Sequence, residues 1–396
     1  MRLLSSFKID KNASLGISFR SRFLVYLYVI NIYISLFAPF SYYHLFKGSV
    51  QIFSLLTTFY ILFTTKSLIL KKKVFAIISV IVLSQIYINF QSFVFNGTTS
   101  SYQVLIIILS ICSYFLIPER IRKLILDLFI RSFAVILFLS VAEYAIYILL
   151  HKGIVLSMVQ RLEADGSQFF YHLCLSIVKI DNIIPRYQFL LDEPGKLGTF
   201  LAFLIFLTHG TKYKKQQIIF MLAGIITFSL AFYILLTLIT VYILILKRPN
   251  LSIVISVLLI AGLSYYFLYD VINQRIFERI SNFEGRDTPA FRAALIKMFQ
   301  SADCLVGYGL RASIPDDASG NTVGVLRELY QIGVIGVLVR LGHFFYCIIK
   351  QNGVSLRVIY FLMIFIVSYY QRTHMYDTML LVLFFPFPDL EEKQKN

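Results

Sequence analysis

Apolar and polar positions in this chain come in long blocks rather than in the short alternations of a soluble fold. Runs of about 17–22 apolar residues recur from one end to the other, each long enough to cross about 30 Å of hydrocarbon. They fall near residues 23–42, 50–69, 74–95, 102–118, 126–149, 197–211, 217–229, 230–246, 251–269, 325–348, 355–371 and 375–389. In lipid a backbone must satisfy its own hydrogen bonds, so such runs predict helices. The expected fold class is an all-α polytopic membrane protein of about twelve transmembrane helices, a single integral membrane domain over 1–396. One block needs dividing. Residues 217–246 form one apolar stretch between two basic clusters. Two clusters on the same side require an even number of crossings, so the stretch splits near Phe228–Tyr233. Each half is then short for a full span, which local thinning or burial in the bundle accommodates.

Composition strengthens this picture. Of 396 residues, 58% are hydrophobic and 15% charged, against about 45–50% and about 25% in a soluble domain. A soluble enzyme, a disordered chain and a secreted disulfide scaffold are excluded. Lys and Arg number 37 against 21 Asp and Glu, a net charge of +16. That charge does not signal a nucleic-acid partner, because it sits in short clusters between apolar runs rather than on one soluble patch. The clusters are Arg2 to Arg22, Lys71-Lys72-Lys73, Arg120 to Lys123, Lys212 to Lys215, Lys247-Arg248, Lys350 with Arg357, and Lys393 with Lys395. With both termini cytoplasmic, all of them fall on the cytoplasmic side, as positive-inside orientation requires. The opposite short loops hold little beyond Lys47 and Arg372. The first apolar run is too long for a cleaved signal and is expected to stay as an anchor.

Two segments interrupt the pattern and face outward, 150–196 and 270–324. Both are polar and of mixed charge, yet carry Phe, Tyr, Ile and Leu throughout, which argues for folded loops. Long loops of this kind are usually functional. Cys112 and Cys347 lie in apolar runs as packing residues, while Cys174 and Cys304 lie one in each loop and pair only if the loops meet on an oxidising side.

Candidate chemistry concentrates in these loops. Arg186, Asp192, Glu193, Lys196 and Gly198 close the first, within IIPRYQFLLDEPGKLGTFLAF. Arg286 and Arg292 stand in the second, and Phe291, Leu295, Met298 and Phe299 around Arg292 have the spacing of one helix face. Arg311 follows the Gly307-Tyr308-Gly309 turn, and Asn321 precedes Gly333-Val-Ile-Gly336. Guanidinium groups stay charged and present a planar fork that suits phosphate oxygens. Converging at the membrane surface, they would hold a lipid-linked pyrophosphate and offset the charge of its departure. The alternative, pairing with neighbouring Asp and Glu, stays open for each arginine. Glu193 either takes a proton from an acceptor hydroxyl or serves a helix N-terminus ahead of Pro194. The Gly-Tyr-Gly turn lacks a following Lys and reads as a place where two backbones approach. Gly333 and Gly336 read as close helix packing. His374, in the last outer turn, is either a base or a surface histidine. No His, Cys or carboxylate spacing suggests a metal site, and no cofactor is implied.

The order of these features resembles the polysaccharide repeat-unit polymerases, the Wzy family of the O-antigen polymerase and ligase superfamily. The resemblance rests on Arg186 followed by Glu193-Pro194 at the start of a span, Arg286 or Arg292 opening the second loop, Gly307-Tyr308-Gly309-Leu310, and Asn321 leading to Gly333-Val-Ile-Gly336. It covers about the middle third of the chain by its polar landmarks. It implies a GT-C-like polymerase/ligase fold and a metal-independent glycosyltransferase of the bacterial plasma membrane. Its substrate would be undecaprenyl-diphosphate-linked oligosaccharide on the outer face, with a flippase and a chain-length regulator as possible partners. Carried over, Arg186 and Arg292 bind the diphosphate, with Arg286 competing for the second place and Arg311 a weaker third. Glu193 is the candidate catalytic carboxylate, and Lys196, Asn321 and His374 are candidate substrate contacts. The ligase branch carries a His-Asn-like pair before its Gly-x-x-Gly. Here the stretch is Ser319-Gly320-Asn321-Thr322, without histidine, which favours a polymerase over a ligase.

Overall fold

The computed structural model describes residues 19–36, five positions between 56 and 63, and residues 72–96, 114–150, 160–162, 168–172, 175–179, 186–191, 193–247, 289–309, 312, 324–371 and 386–389. The helices are α1 (Phe19–Leu36), α2 (Lys72–Asn96), α3 (Glu119–Leu150), α4 (Pro194–Thr208), α5 (Lys214–Ile226), α6 (Leu230–Lys247), α7 (Pro289–Phe299), α8 (Asp303–Val306), α9 (Gly324–Asn352) and α10 (Leu356–Gln371). Eight of the expected spans coincide with α1 to α6, α9 and α10, to within a few residues at most ends. Among the described residues, three helices are long and apolar enough to cross a membrane: Lys72–Phe90 within α2, α3 and α9. Four shorter apolar helices accompany them, among them α4 and the body of α10. The expected spans near 50–69, 102–118 and 251–269 lie wholly or mostly outside the described residues. Of the one near 375–389, only 386–389 is described, and it is not helical.

The all-α expectation needs one correction. Between α3 and α4 the chain forms an antiparallel sheet, β1 (Gln160–Leu162), β2 (Gln168–His172) and β3 (Leu175–Lys179), in the order β1-β2-β3. Gln160 pairs with Phe170, and Tyr171 with Ser176. Adjacent hairpins close this sheet locally, so it stands in the first large loop without altering the helical body.

The core forms around α4, which is apolar on every side and therefore central. Every residue from Pro194 to Thr208 is buried except Lys196. The rings of Phe129, Phe133, Phe200 and Phe220 pack here, one pair stacked and the others tilted or edge-on, at centroid separations of 5.4–6.1 Å. Gly198 and Gly224 are small because Phe232 lies on both; a Cβ on Gly224 would stand 2.1 Å from its ring. The outer flanks are different. Phe75, Leu83, Ile86 and Phe90 of α2 are all more than half exposed. In water each would forgo about 1.5–3 kcal/mol of burial, whereas lipid removes that cost. This is the signature of a helical membrane protein.

Four of the basic clusters, those of Lys73, Arg122-Lys123, Lys212 and Arg357, meet at one end of the bundle. Lys73 donates to the Gln351 carbonyl at 3.3 Å, and Arg122 to the Gln351 side chain at 2.9 Å. Lys123 pairs with Asp389 at 3.0 Å, and Arg357 donates to the carbonyls of Leu207 and Pro388 at 2.7 and 3.0 Å. Asp127 gathers Lys212 at 2.9 Å, Arg131 at 3.1 Å and the Tyr213 hydroxyl at 2.6 Å. The starts of α2, α3, α5 and α10 and the ends of α4 and α9 therefore share one level, the arrangement that positive-inside orientation asks of them. Asn352 accepts the Phe387 N–H at 2.8 Å, so residues 386–389 are strapped across this basic end.

Candidate functional site

The split expected in residues 217–246 is real, and it builds a polar cluster in the interior. α5 has 13 residues, so it rises only about 20 Å from the basic end. It stops at Thr227–Ser229, and α6 runs back. Tyr242 near the end of α6 touches Phe206 and Tyr360, at centroid distances of 5.1 and 4.8 Å, both close to the basic end. α5 and α6 thus form a re-entrant hairpin. Short side chains break the helix locally. The Thr227 hydroxyl donates back to Gly224 O at 2.6 Å and accepts the Ser229 N–H at 3.2 Å. Ser229 then accepts the Phe232 N–H at 3.4 Å, as an N-cap does. Phe228 absorbs the turn at φ 46°.

Arg186 seals this tip. Its Nε donates to Thr227 O at 3.3 Å and its Nη2 to Phe228 O at 3.2 Å. The Tyr187 N–H reaches Ile226 O at 3.4 Å. These carbonyls have no partner within α5 and carry the negative end of its dipole, so a cation is favoured there. Arg186, Gln188, Thr227 and Ser229 are all buried. The Tyr187 hydroxyl donates to Ser140 Oγ at 2.8 Å, and its ring meets Tyr144 at 5.2 Å. Glu143 is buried one turn along α3 from Ser140. Tyr187, Gln188, Ser140 and Thr227 were not marked by the sequence reading. Thr227 and Ser229 had a local signal, two hydroxyl residues inside an apolar block, but Ser140 and Tyr187 meet only through the fold.

Glu193 stands at the N-cap of α4 with Pro194 behind it, exposed, and its side chain does not cap the helix. Its carbonyl accepts the N–H groups of Lys196 and Leu197 at 3.1 and 3.3 Å. Lys196 is half-buried on the first turn. Arg292 is exposed on α7, whose inner face is Phe291, Leu295 and Met298. Phe299 was expected on that face but is 51% exposed, because one more residue turns it past the buried arc. Arg186 and Arg292 are anchored by different elements, the hairpin tip and α7. Asp192, Arg286, Arg311, Asn321 and His374 lie outside the described residues. So does Cys174, whereas Cys304 is a free thiol.

Close to the tip an apolar groove of about 140 Å³ opens between α6 and α10, lined by Leu230, Ala231, Ile234, Leu235, Val367, Ser368 and Tyr370. It starts two residues along the chain from the carbonyl that Arg186 holds.

A second polar cluster lies where α9 breaks. Gly333 has φ 65° and ψ −179° and divides the helix into 324–332 and 334–352. The turn at 307–309 fills the gap: the Tyr308 N–H donates to Tyr330 O at 2.9 Å and the Gly309 N–H to Gln331 O at 2.6 Å. A Cβ on Gly307 would stand 2.5 Å from Gly333 N, and one on Gly333 2.5 Å from the Leu305 carbonyl. The backbone approach expected at Gly307-Tyr308-Gly309 is therefore made, against Gly333. The packing expected of Gly333 and Gly336 is corrected. Gly333 is the break itself, and Gly336 leaves room for Ile332 of the same chain segment, 2.7 Å from where its Cβ would be. Across the break, the Glu328 carboxylate accepts from Arg340 Nη1 and from the Tyr369 hydroxyl. In a straight helix twelve residues separate their Cα atoms by about 18 Å, farther than the two side chains span together. The pair exists because the helix is broken. An arginine inside a span requires such a partner, and that requirement was the signal for Glu328. Comparison with protein-family models, with curated proteins and with solved structures finds no match for this chain.

Proposed function

We propose that this protein polymerises undecaprenyl-diphosphate-linked oligosaccharide repeat units into surface polysaccharide on the outer face of the bacterial plasma membrane. The observation that carries the reading is the pairing of a held guanidinium with an apolar groove. Arg186 is fixed at the tip of the helical hairpin, and the groove between α6 and α10 begins at Leu230, two residues along the chain from Phe228, whose carbonyl Arg186 holds. A cation near an apolar groove suits an amphiphile with an anionic head. The order of Arg186, Glu193-Pro194, Arg292 and the two glycine pairs adds the resemblance to repeat-unit polymerases.

In this reaction the acceptor hydroxyl of a new repeat unit attacks the anomeric carbon of the growing glycan. The bond from that carbon to the diphosphate oxygen breaks, and undecaprenyl diphosphate leaves with the electron pair. Arg186 and Arg292 offset the charge that develops on the leaving group. Glu193, exposed at the start of α4, accepts the hydroxyl proton. No metal or cofactor enters the proposed step.

One observation favours a second reading, a flippase or transporter for a lipid-linked glycan. Broken helices and buried charge within spans are features of transporters, and α9 carries both. Reconstitution in vesicles with a defined lipid-linked repeat unit separates the readings. A ladder of products longer than one unit supports the polymerase. Movement of the lipid between leaflets without new glycosidic bonds refutes it in favour of transport. Transfer of glycan to a lipid-core acceptor without chain growth refutes it in favour of a ligase.

A further inference from the structure

The first part of α9 has divided loyalties. Residues Leu326, Leu329 and Tyr330 pack with Cys304 and Tyr308 onto Phe291, Leu295 and Met298 of α7, in a small apolar cluster that Leu329 joins to the main core. The backbone of 307–309 is hydrogen-bonded to the end of the same segment. Residues 289–309 and 324–332 are therefore joined by both side chains and backbone. This unit rests on the main core through the buried Ile332 and through Val325 and Leu329, and two particular features mark the junction. One is Gly333, in a backbone region (φ 65°, ψ −179°) that is essentially reserved for glycine. The other is Glu328, 1% exposed, whose partners Arg340 and Tyr369 both lie beyond the break.

We propose that residues 289–309 with 324–332 form a cap hinged at Gly333, and that Glu328 is the clasp that holds it closed on Arg340 and Tyr369. Burying an ion pair in apolar surroundings costs desolvation that a hydrophobic contact of the same size would not. What the pair supplies is a register, because charge complementarity defines one closed position and is lost all at once when the partners separate. Few-residue hinges that absorb a large φ/ψ change are the usual pivots of such closures.

The test reads cap opening directly and needs no substrate, so its failure is distinct from failure of the proposed reaction. Hydrogen exchange is followed by mass spectrometry on the full chain in lipid nanodiscs. In Glu328→Gln, amides in 289–309 and 324–332 should exchange at least about tenfold faster than in the unaltered protein, the change expected when a charge-assisted bond worth more than about 1.4 kcal/mol is lost. Exchange in 334–352 and in α3 should stay unchanged. Tyr369→Phe, which removes one hydroxyl, should accelerate the same two segments by a smaller factor. Should Glu328→Gln fail to fold, Tyr369→Phe decides alone. Unchanged exchange in the cap segments overturns the proposal, and so does an acceleration shared equally by 334–352 and α3.

Discussion

The interlock between Gly307 and Gly333 gives the sharpest prediction. Gly333→Ala asks an alanine to hold φ 65° and ψ −179°, at a cost of about 1–3 kcal/mol. Its Cβ would stand 2.5 Å from the Leu305 carbonyl carbon and oxygen and 2.6 Å from Gly307 N, all of them backbone atoms. Overpacking of this kind adds about 1–3 kcal/mol. If the turn at 307–309 is pushed off, the bonds to Tyr330 O and Gln331 O go too, at about 1 kcal/mol each. The total is about 4–8 kcal/mol, a large part of the 5–15 kcal/mol that holds a typical domain together. Two other glycines of the same region serve as controls. Gly353→Ala, at φ 76° with nothing within 4 Å of a Cβ, pays backbone strain alone. Gly342→Ala, equally open and helical, pays nothing and gains up to about 1 kcal/mol of helix propensity. Thermal unfolding, followed by size-exclusion fluorescence after heating, should rank Gly342→Ala at or above the parent, then Gly353→Ala, then Gly333→Ala several degrees lower. Should Gly333→Ala match Gly353→Ala, the close approach of the two glycines contributes nothing and the interlock is refuted.

Arg186→Ala removes two hydrogen bonds to the hairpin tip and should abolish polymer ladders. Arg186→Lys, which lacks the fork that reaches both carbonyls, should restore little of that activity. Arg292→Ala changes an exposed side chain, so it should leave expression and melting temperature unchanged while shortening product; normal ladders in both alanine variants would sink the polymerase proposal. At the basic end, burial and the neighbouring Asp127 carboxylate raise the Tyr213 phenol above its ordinary 10.0. The neutral phenol is the form that folding favours, so its contribution is complete below pH 10 and is lost as pH rises toward the higher folded value. The stability gap between the parent and Tyr213→Phe should accordingly be constant from pH 7 to 9 and shrink above pH 10, as read from melting curves across that range; a gap that widens with alkalinity contradicts the assignment.

Much of the helical frame was legible in the sequence because the forces that make it are local. An apolar run long enough to span lipid has one backbone solution, so α2, α3, α9 and their neighbours could be placed from hydropathy alone. The meeting of the basic clusters at one end follows from charge and connectivity, and so does the even number of crossings that divides α5 from α6. The hydroxyls of Thr227 and Ser229 supply the break locally.

Pairings between residues far apart in the chain were not legible. That Arg186 reaches the Thr227 and Phe228 carbonyls depends on where the hairpin tip arrives, and no spacing near Arg186 encodes that. The sheet at 160–179 has segments too short for periodicity to distinguish from loop. Gly333 looked like helix packing because its sequence neighbours are helical; only the arrival of the 307–309 backbone makes it a break. Arg340, inside an apolar run, signals that it needs a partner, but nothing in the sequence says that the partner is Glu328 or that Tyr369 joins it. Burial makes an unpaired charge costly, so once the chain folds these three must find one another. Sequence thus determined which segments form long apolar helices, while tertiary structure decided which buried polar groups satisfy each other, because hydropathy is a property of single residues and pairing is a property of their positions in space.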